Sequence, residues 1–299
     1  MQVDSLIVGG GPGGLTAAVY LGRYRRSVVI ADAHASRAAL IARSHNYPGF
    51  PEGIAGTDLL SRLRAQASRY GAKIIETTVD SVEPTRSGEF ATVCGLQSLT
   101  ARTVVLATGV VDIEPELPNL RDAVRRGLIR HCPVCDGFEV IDQRVAVIGT
   151  GAKGIRETLF IRHFTADLTL FTLGASVTDE DRRHLAAAGI ALVDAAVTEV
   201  HIEQQALVGL QTADGRAYRF DTLYSALGAL PNARVAVDLG VECADDGMIL
   251  TDAHQRTSVP DVYACGDIVH ASLNQIAVAT AHAAIAATAI HNRLRIAES

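Results

Sequence analysis

The amino-acid sequence predicts an α/β protein made of two dinucleotide-binding units, the second inserted into the first. Two glycine-rich turns support this prediction, because each follows an apolar strand and opens a helical run, one at Gly9 and the other at Gly149. A third observation is the pair Cys132 and Cys135, which precedes the second turn and indicates redox chemistry. Strand, glycine turn, helix and strand in this order are typical of the Rossmann fold.

The first turn has the pattern Gly-x-Gly-x-x-Gly. Gly9 allows the tight turn, Gly11 lets the backbone approach a pyrophosphate, and Gly14 lets the helix pack closely on the strand. Pro12 lies in the same turn and is assigned to the cofactor site with it. Asp32 ends the next strand, where a carboxylate can accept hydrogen bonds from a ribose hydroxyl. The predicted elements are a strand over 3–8, a helix over 15–24 and a strand over 27–31.

The second turn contains Gly149, Gly151 and Gly154 and repeats the same pattern. After its second strand the chain reads Thr172-Leu173-Gly174, which offers neither an acid for a ribose diol nor an arginine for a 2′-phosphate. A dinucleotide can still dock its phosphates at the helix N-terminus. The sequence therefore predicts weak or absent reduction by either NADPH or NADH. The predicted elements are a strand over 144–148, a helix over 155–164 and a strand over 167–171.

Length and composition exclude several classes of protein. The 299 residues, 48% of them hydrophobic, suffice for two domains with full cores. A net charge of −6, with no basic run and no Trp, argues against a nucleic-acid partner. The N-terminus enters a strand without a basic segment, and the longest apolar stretch, 276–290, is too short to span a bilayer. We therefore expect no signal peptide and no membrane partner. Five cysteines in a long chain, with a dithiol that needs reductant, favour the cytoplasm.

Two breaker-rich segments mark where the inserted unit begins and ends. The first is 114–118 and the second is 228–232, and both contain proline between strand-like runs. We therefore expect a discontinuous outer domain of residues 1–112 and 241–299. The inner domain would comprise residues 113–240 and carry the Cys-x-x-Cys pair.

The spacing of Cys132 and Cys135 lets the two thiols close a disulfide and reopen it. Asp136 follows directly and supplies a carboxyl that can shuttle the proton a leaving thiolate needs. The alternative is half of a zinc site. Zinc takes four nitrogen or sulfur ligands, usually as two pairs, and the other three cysteines are isolated in sequence. Redox chemistry is therefore the favoured interpretation.

Seven motifs in order span nearly the whole chain. They are 9–18, 46–51, 107–109, 132–137, 231–232, 257–260 and 265–267. Together they resemble the motifs of the low-molecular-weight thioredoxin reductases. The resemblance implies an FAD-dependent dithiol–disulfide oxidoreductase with FAD in the outer domain.

The resemblance also implies which residues contact the flavin. Asn46 would touch the flavin side, Asp267 would hold the ribitol and the flavin phosphate, and the backbone of Gln275 and Ile276 would face the flavin pyrimidine. The family usually has Arg before this Gln, where this chain has Asn274. Further cofactor contacts are expected from Thr108, Gly109 and Gly266.

The resemblance implies a different role for each of the two cysteines. Cys135 would lie over the flavin and exchange electrons with it. Cys132 would react with the disulfide of a thioredoxin-like protein or of a small molecule. Relatives that oxidise small dithiols with oxygen usually have His after the second Cys, and Asp136 at that position favours the reductase-like branch.

The electron donor is where this chain departs from the family. Members that use NADPH carry His-Arg-Arg where this chain has residues 172–174, and two guanidiniums that would pair a 2′-phosphate are lost. NADPH is therefore not expected to be a good reductant. Relatives take electrons from ferredoxin, hold a second flavin or react with oxygen, and these alternatives stay open. A flavin-binding redox sensor is a further alternative function. For the assembly, we expect a homodimer.

Overall fold

The protein contains one mixed and one parallel β-sheet, and the chain segment that forms the parallel sheet is inserted into the chain that forms the mixed one. The computed structural model describes residues 1–94, 96–115, 123–124, 126–203 and 206–298. In each of the two units, one strand of the sheet is followed by a glycine-rich turn and then by a helix. The predicted fold class, α/β with one Rossmann-like domain inserted into another, is confirmed.

The outer sheet is built from seven strands. They are β1 Gln2–Val8, β2 Val28–Asp32, β3 Lys73–Glu76, β4 Glu83–Pro84, β5 Phe90–Cys94, β6 Gln97–Leu106 and β17 Val262–Ala264. Their order is β3-β2-β1-β6-β5-β4, and β17 pairs with β6. β1, β2, β3, β6 and β17 run parallel, so their carboxyl ends meet at one edge. β2 is buried along its whole length, which explains its unbroken apolar run at 28–31.

Three helices and one 3-10 turn accompany the outer sheet. They are α1 Pro12–Arg23, α2 Gly56–Arg69 and α7 Ile276–Ala297, with the 3-10 turn at Arg37–Leu40. α1 begins at Pro12 rather than at the predicted Leu15, because proline is well accommodated at the first helical position. Leu15 of α1, Ile30 of β2 and Ala283 of α7 share one buried core. Within the described residues, no helix has the length and apolarity to cross a bilayer.

The inner sheet consists of five parallel strands. They are β8 Ile129–Arg130, β9 Val145–Gly149, β10 Leu168–Phe171, β11 Ala191–Val193 and β15 Thr222–Ala226. Their order is β11-β10-β9-β15-β8. The accompanying helices are α3 Pro133–Asp136, α4 Gly151–Ile161 and α5 Asp179–Ala187, followed by a 3-10 turn at Phe138–Val140 after α3. α4 begins before the predicted Ile155, because the last glycine of the turn already lies in the first helical turn.

Two smaller sheets complete the fold. An antiparallel sheet contains β12 Val197–Glu203, β13 Ala206–Thr212 and β14 Ala217–Tyr218. β7 Val110–Asp112 and β16 Ala229–Pro231 pair antiparallel, and the short helix α6 Arg234–Asp238 follows. The predicted breaker 228–232 therefore contains β16, whereas 116–118 of the other breaker lie outside the described residues. The domain boundaries at 112 and 241 stay a prediction.

Candidate active site

The carboxyl ends of the parallel outer strands open into a cavity of about 570 Å3. Such crevices are where open α/β sheets bind nucleotides. The lining includes 9–13 after β1, Asp32 at the end of β2, 107–112 after β6 and 265–267 after β17. The inner unit contributes 129–132, Cys135 and Asp136 to the same wall. The cavity therefore brings the first glycine turn and the dithiol to one place.

Most of the sequence-predicted cofactor residues line this cavity. The outer-unit residues that do so are Gly9, Gly11, Pro12, Asp32, Asn46, Thr108, Gly109, Gly266, Asp267, Gln275 and Ile276. Gly14 and the second glycine turn at 149–154 are not among the lining residues, and that turn follows β9 of the inner sheet. The structure thus separates the two predicted nucleotide sites.

The backbone of the first glycine turn packs so closely on its neighbours that side chains do not fit at two of its glycines. Gly9 has φ +113°, and a Cβ there would overlap the carbonyl group of Ala107. A Cβ on Gly14 would overlap the carbonyl oxygen of Gly9, because α1 packs closely against β1. At Gly11 a Cβ would approach Ser36 Oγ at 3.3 Å. The turn leads into the start of α1, where the first N–H groups of a helix have no intrahelical partner and suit an anion.

Asp32 is almost completely buried at the carboxyl end of β2, with 2% of its surface exposed. Its Oδ1 accepts a hydrogen bond from the backbone N–H of His34 at 2.9 Å, and its Oδ2 forms an ion pair with the guanidinium of Arg64. Gly10 makes room for this carboxylate, because a Cβ there would overlap it. Arg64 lies on α2, and nothing in its sequence spacing indicates this contact.

A second ion-pair cluster, which is half-buried, lines the cavity near the end of β17. Arg37 donates hydrogen bonds to both carboxylate oxygens of Asp112, each at 2.7 Å, and to Asp267 Oδ2 at 3.3 Å. Burial raises the pKa of Asp267, and the charge of Arg37 opposes that increase. Gly266 allows the turn before Asp267, with φ +84°. Arg37 was not among the sequence-predicted site residues, since its partners are distant in the chain.

Thr108 supplies a buried polar atom without a partner at the cavity wall. Its Oγ1 has no hydrogen-bond partner, whereas its carbonyl oxygen accepts one from Asn232 Nδ2 at 3.0 Å. The following Gly109 has φ +64°, which turns the chain along the wall. A hydroxyl of this kind is available to a polar ligand group, and it fits a bound nucleotide.

Cys132 and Cys135 are joined in a disulfide at the start of α3. Both residues are half-buried and line the cavity. Cys132 Sγ accepts a hydrogen bond from the backbone N–H of Cys135 at 3.2 Å. The side-chain nitrogen of Gln275 approaches both sulfur atoms, and Asn46 donates a hydrogen bond to Gln275 Oε1 at 2.8 Å.

The zinc alternative finds no support in the described part of the chain. There, no group of three or more His, Cys, Asp or Glu side chains is arranged to hold a metal ion. The remaining cysteines are free thiols, namely Cys94, Cys243 and Cys265. Burial raises the pKa of Cys265 to about 12, so that its thiol stays protonated although it lines the cavity.

The carboxylate of Asp136 accepts hydrogen bonds from two side chains. Arg130 donates a hydrogen bond to its Oδ2 at 2.9 Å, and the hydroxyl of Tyr224 donates one to its Oδ1 at 2.7 Å. Burial raises the pKa of Asp136, while Arg130 and Tyr224 oppose that increase. Burial, together with the charge of Asp136, also raises the pKa of Tyr224, so this hydroxyl keeps its proton. Tyr224 lies on β15, far from the dithiol in sequence, and its contact could not be read from the motif.

At the second glycine turn the backbone segments pack closely, whereas residues 172–174 after β10 include no cation. A Cβ on Gly154 would meet the backbone of Gly149 inside contact distance, and Gly151 has φ +60°. After β10, the hydroxyl of Thr172 donates a hydrogen bond to Asp194 Oδ1 at 3.2 Å. Asp194 Oδ2 pairs with Arg182 at 3.0 Å. Arg182 is therefore already paired with Asp194, a carboxylate that the sequence motif did not indicate.

Comparisons with known proteins show the family of this chain. A family model described as pyridine nucleotide-disulphide oxidoreductase matches residues 3–285. A thioredoxin reductase of Treponema pallidum is 31% identical over 296 residues, covering 96% of this chain and 95% of that protein. One of Streptomyces coelicolor is 33% identical over 289 residues, covering 90% and 87%. The crystal structure of HlmI matches with a TM-score of 0.91 at 34% identity, covering 98% of this chain and 92% of that one.

Proposed function

The chain belongs to the pyridine nucleotide-disulphide oxidoreductase family and is an enzyme similar to thioredoxin reductase; from this premise we propose the path that its electrons take. They pass between FAD, the Cys132–Cys135 disulfide and the disulfide of a thioredoxin-like protein or a small molecule. One observation carries the proposal. The disulfide lies in the wall of the cavity into which the first glycine turn opens.

The family implies FAD, and the residues at the cavity fit it. The glycine turn would hold the pyrophosphate, Asp32 the ribose, and Asp267 the ribitol end. The free hydroxyl of Thr108 and the space left by Gly9 and Gly14 support this assignment. When bound, FAD would supply a two-electron acceptor and donor beside the disulfide. The proposed FAD domain comprises residues 1–112 and 241–299.

The dithiol would carry electrons to the partner by thiol–disulfide exchange. The Cys132 thiolate attacks one sulfur of the partner disulfide, a mixed disulfide forms, and a partner thiolate leaves. The Cys135 thiolate then attacks Cys132 Sγ, so that the internal disulfide closes and the second partner thiolate leaves with the electron pair. Asp136 would hold a proton for a leaving thiolate, and burial, which raises the pKa of this carboxyl, favours the protonated form.

Nicotinamide is a weak donor in this proposal. A 2′-phosphate needs unpaired cations at the end of β10, whereas Arg182 there is paired with Asp194. This pairing favours a second candidate, a disulfide oxidoreductase or dithiol oxidase whose donor or acceptor is ferredoxin, another flavin or oxygen. The proposed assembly is a homodimer acting in the cytoplasm.

Anaerobic mixing tests the proposal. Protein loaded with FAD should be yellow, and its flavin absorbance should bleach on addition of a dithiol. NADPH and NADH, added separately under the same conditions, should bleach it slowly or not at all. Reduced ferredoxin is added in a separate experiment as a further electron donor. Rapid bleaching at low micromolar NADPH would refute the nicotinamide part alone, whereas a protein that cannot be loaded with FAD would refute the whole proposal.

A further inference from the structure

We propose that Gln275 is a catalytic residue of the dithiol. Its side-chain amide donates a hydrogen bond to the thiolate that forms when the Cys132–Cys135 disulfide opens. The inference rests on the proposed function, because it needs a disulfide that opens and closes. It gives the Gln275 side chain a role of its own, apart from the flavin contact that resemblance implies for its backbone.

The geometry places this amide against both sulfur atoms. Gln275 Nε2 lies 3.2 Å from Cys135 Sγ and 3.4 Å from Cys132 Sγ. Gln275 immediately precedes α7 and belongs to the outer unit, whereas the sulfurs belong to the inner one. The donor therefore reaches the dithiol from the other side of the boundary between the units.

Neighbouring hydrogen bonds determine which end of the amide faces the sulfurs. Ser44 Oγ donates to Asn46 Oδ1 at 3.1 Å, which leaves the Asn46 nitrogen to act as a donor. That nitrogen donates to Gln275 Oε1 at 2.8 Å and to the carbonyl of Val134 at 3.2 Å. Turning the Gln275 amide around would place two NH2 groups against each other. The network therefore assigns the NH2 group of Gln275 to the sulfurs.

The two sulfurs depend on this donor to different degrees. Cys132 Sγ also accepts the backbone N–H of Cys135 at 3.2 Å, which persists whatever side chain stands at position 275. Among the hydrogen bonds of the described residues, Cys135 Sγ accepts only the one from Gln275. Loss of the amide should therefore act mainly on Cys135.

The chemical step explains why this donor accelerates exchange. An external thiolate attacks Cys132 Sγ and forms a new S–S bond to it. The bond between Cys132 and Cys135 breaks, and its electron pair leaves on Cys135 Sγ as a thiolate. A hydrogen bond to an anion is stronger than one to a neutral sulfur. Gln275 therefore stabilises the product and the transition state more than the closed disulfide.

The test measures the pKa of each thiol in the reduced holoenzyme. Protein reduced with dithiothreitol is freed of reagent without oxygen and alkylated with iodoacetamide over a pH series. Peptide mapping then gives the rate at Cys132 and at Cys135 separately. Gln275→Met keeps the length of the side chain but removes its hydrogen-bond donor. At pH values below the pKa of the Cys135 thiol, the fraction of Cys135 that is present as thiolate should be about tenfold lower in this variant than in the wild type. The fraction at Cys132 should change by less than about twofold.

Two further variants keep the test decisive. Gln66→Met makes the same replacement on the exposed face of α2 and should leave both profiles unchanged. Asn46→Asp replaces the donor that orients Gln275 with an acceptor, so the Gln275 NH2 group should turn away from the sulfurs. Its carboxylate charge acts in the same direction, and Cys135 should again lose thiolate.

The outcomes separate this inference from the proposed function. An unchanged Cys135 profile in Gln275→Met, or an equal shift at Cys132 and Cys135, would overturn the role of Gln275. Wild-type protein that holds FAD but whose disulfide exchanges with no dithiol would instead overturn the proposed function. A shift confined to Cys135 in Gln275→Met, together with a loss of thiolate at Cys135 in Asn46→Asp, supports the inference.

Discussion

Replacing Tyr224 by phenylalanine removes one hydroxyl from the inner core and leaves the ring in place. The side chain is 1% exposed, and its hydroxyl donates to Asp136 Oδ1 at 2.7 Å and to the Asp136 carbonyl at 3.2 Å. Asp136 Oδ1 therefore loses this donor in the variant, whereas Oδ2 keeps the one from Arg130. A hydrogen bond to a charged group contributes about 1.5–3 kcal/mol, and one to a neutral group about 1 kcal/mol. We therefore expect the free energy of unfolding to fall by about 2 kcal/mol when Asp136 is ionised.

The same substitution should make stability depend more strongly on pH. Burial raises the pKa of Asp136 in the folded protein, and the hydrogen bond from Tyr224 opposes that increase. Without this bond the pKa rises further. A group with a raised pKa stabilises the fold while it is protonated and loses this contribution as pH rises through the folded-state pKa. The deficit of Tyr224→Phe should therefore grow with pH and shrink in acid.

Urea unfolding followed by circular dichroism checks this, at about pH 8 and again at about pH 4.5. The deficit should be smaller in acid by about 1 kcal/mol. Tyr218→Phe is the matched control, because Tyr218 packs on Phe171 of the inner sheet, with ring centroids 5.2 Å apart. Its deficit should not change with pH. An equal deficit for Tyr224→Phe at both pH values would refute the assigned hydrogen bond.

Three other predictions address the cofactor, the donor and the assembly. Gly14→Val should yield colourless protein, because its side chain would overlap the carbonyl of Gly9; a yellow variant with full FAD content would contradict the assigned turn. Leu173→Arg combined with Asp194→Ala adds a cation and frees Arg182, so kcat/KM with NADPH should rise above that of the wild type. An unchanged value would show that selectivity lies elsewhere. Light scattering at micromolar concentration should give the mass of a dimer, and a monomer mass would refute the expected assembly.

The fold could be predicted because its strongest determinants are local. An apolar strand followed by glycines at fixed spacing has few alternatives, and Gly9 and Gly14 do lie where a Cβ would collide with backbone. The predicted positions of β1, β2, β9 and β10 agree with the structure within one or two residues at each end. The β12–β14 sheet was not predicted, because β12 is only partly buried and carries no clean alternation, and β14 has only two residues.

The partners of the site residues could not be predicted from the sequence. Arg64 reaches Asp32 and Arg37 reaches Asp267 from separate elements. Tyr224 reaches Asp136 from a strand that follows much later in the chain. These contacts depend on how the elements pack, and a motif of adjacent residues contains no information about them. The dithiol motif indicates the proposed reacting atoms, whereas packing determines which groups contact them.

Counting electrons tests the central claim most directly. FAD-loaded protein is titrated with dithionite without oxygen until no further reduction occurs, with the double variant Cys132→Ser, Cys135→Ser as the comparison. The wild type should take up about four electrons per FAD, two for the flavin and two for the disulfide, and the variant about two. Equal uptake of about two electrons by both proteins would contradict the account, because the disulfide would then not exchange electrons with the flavin.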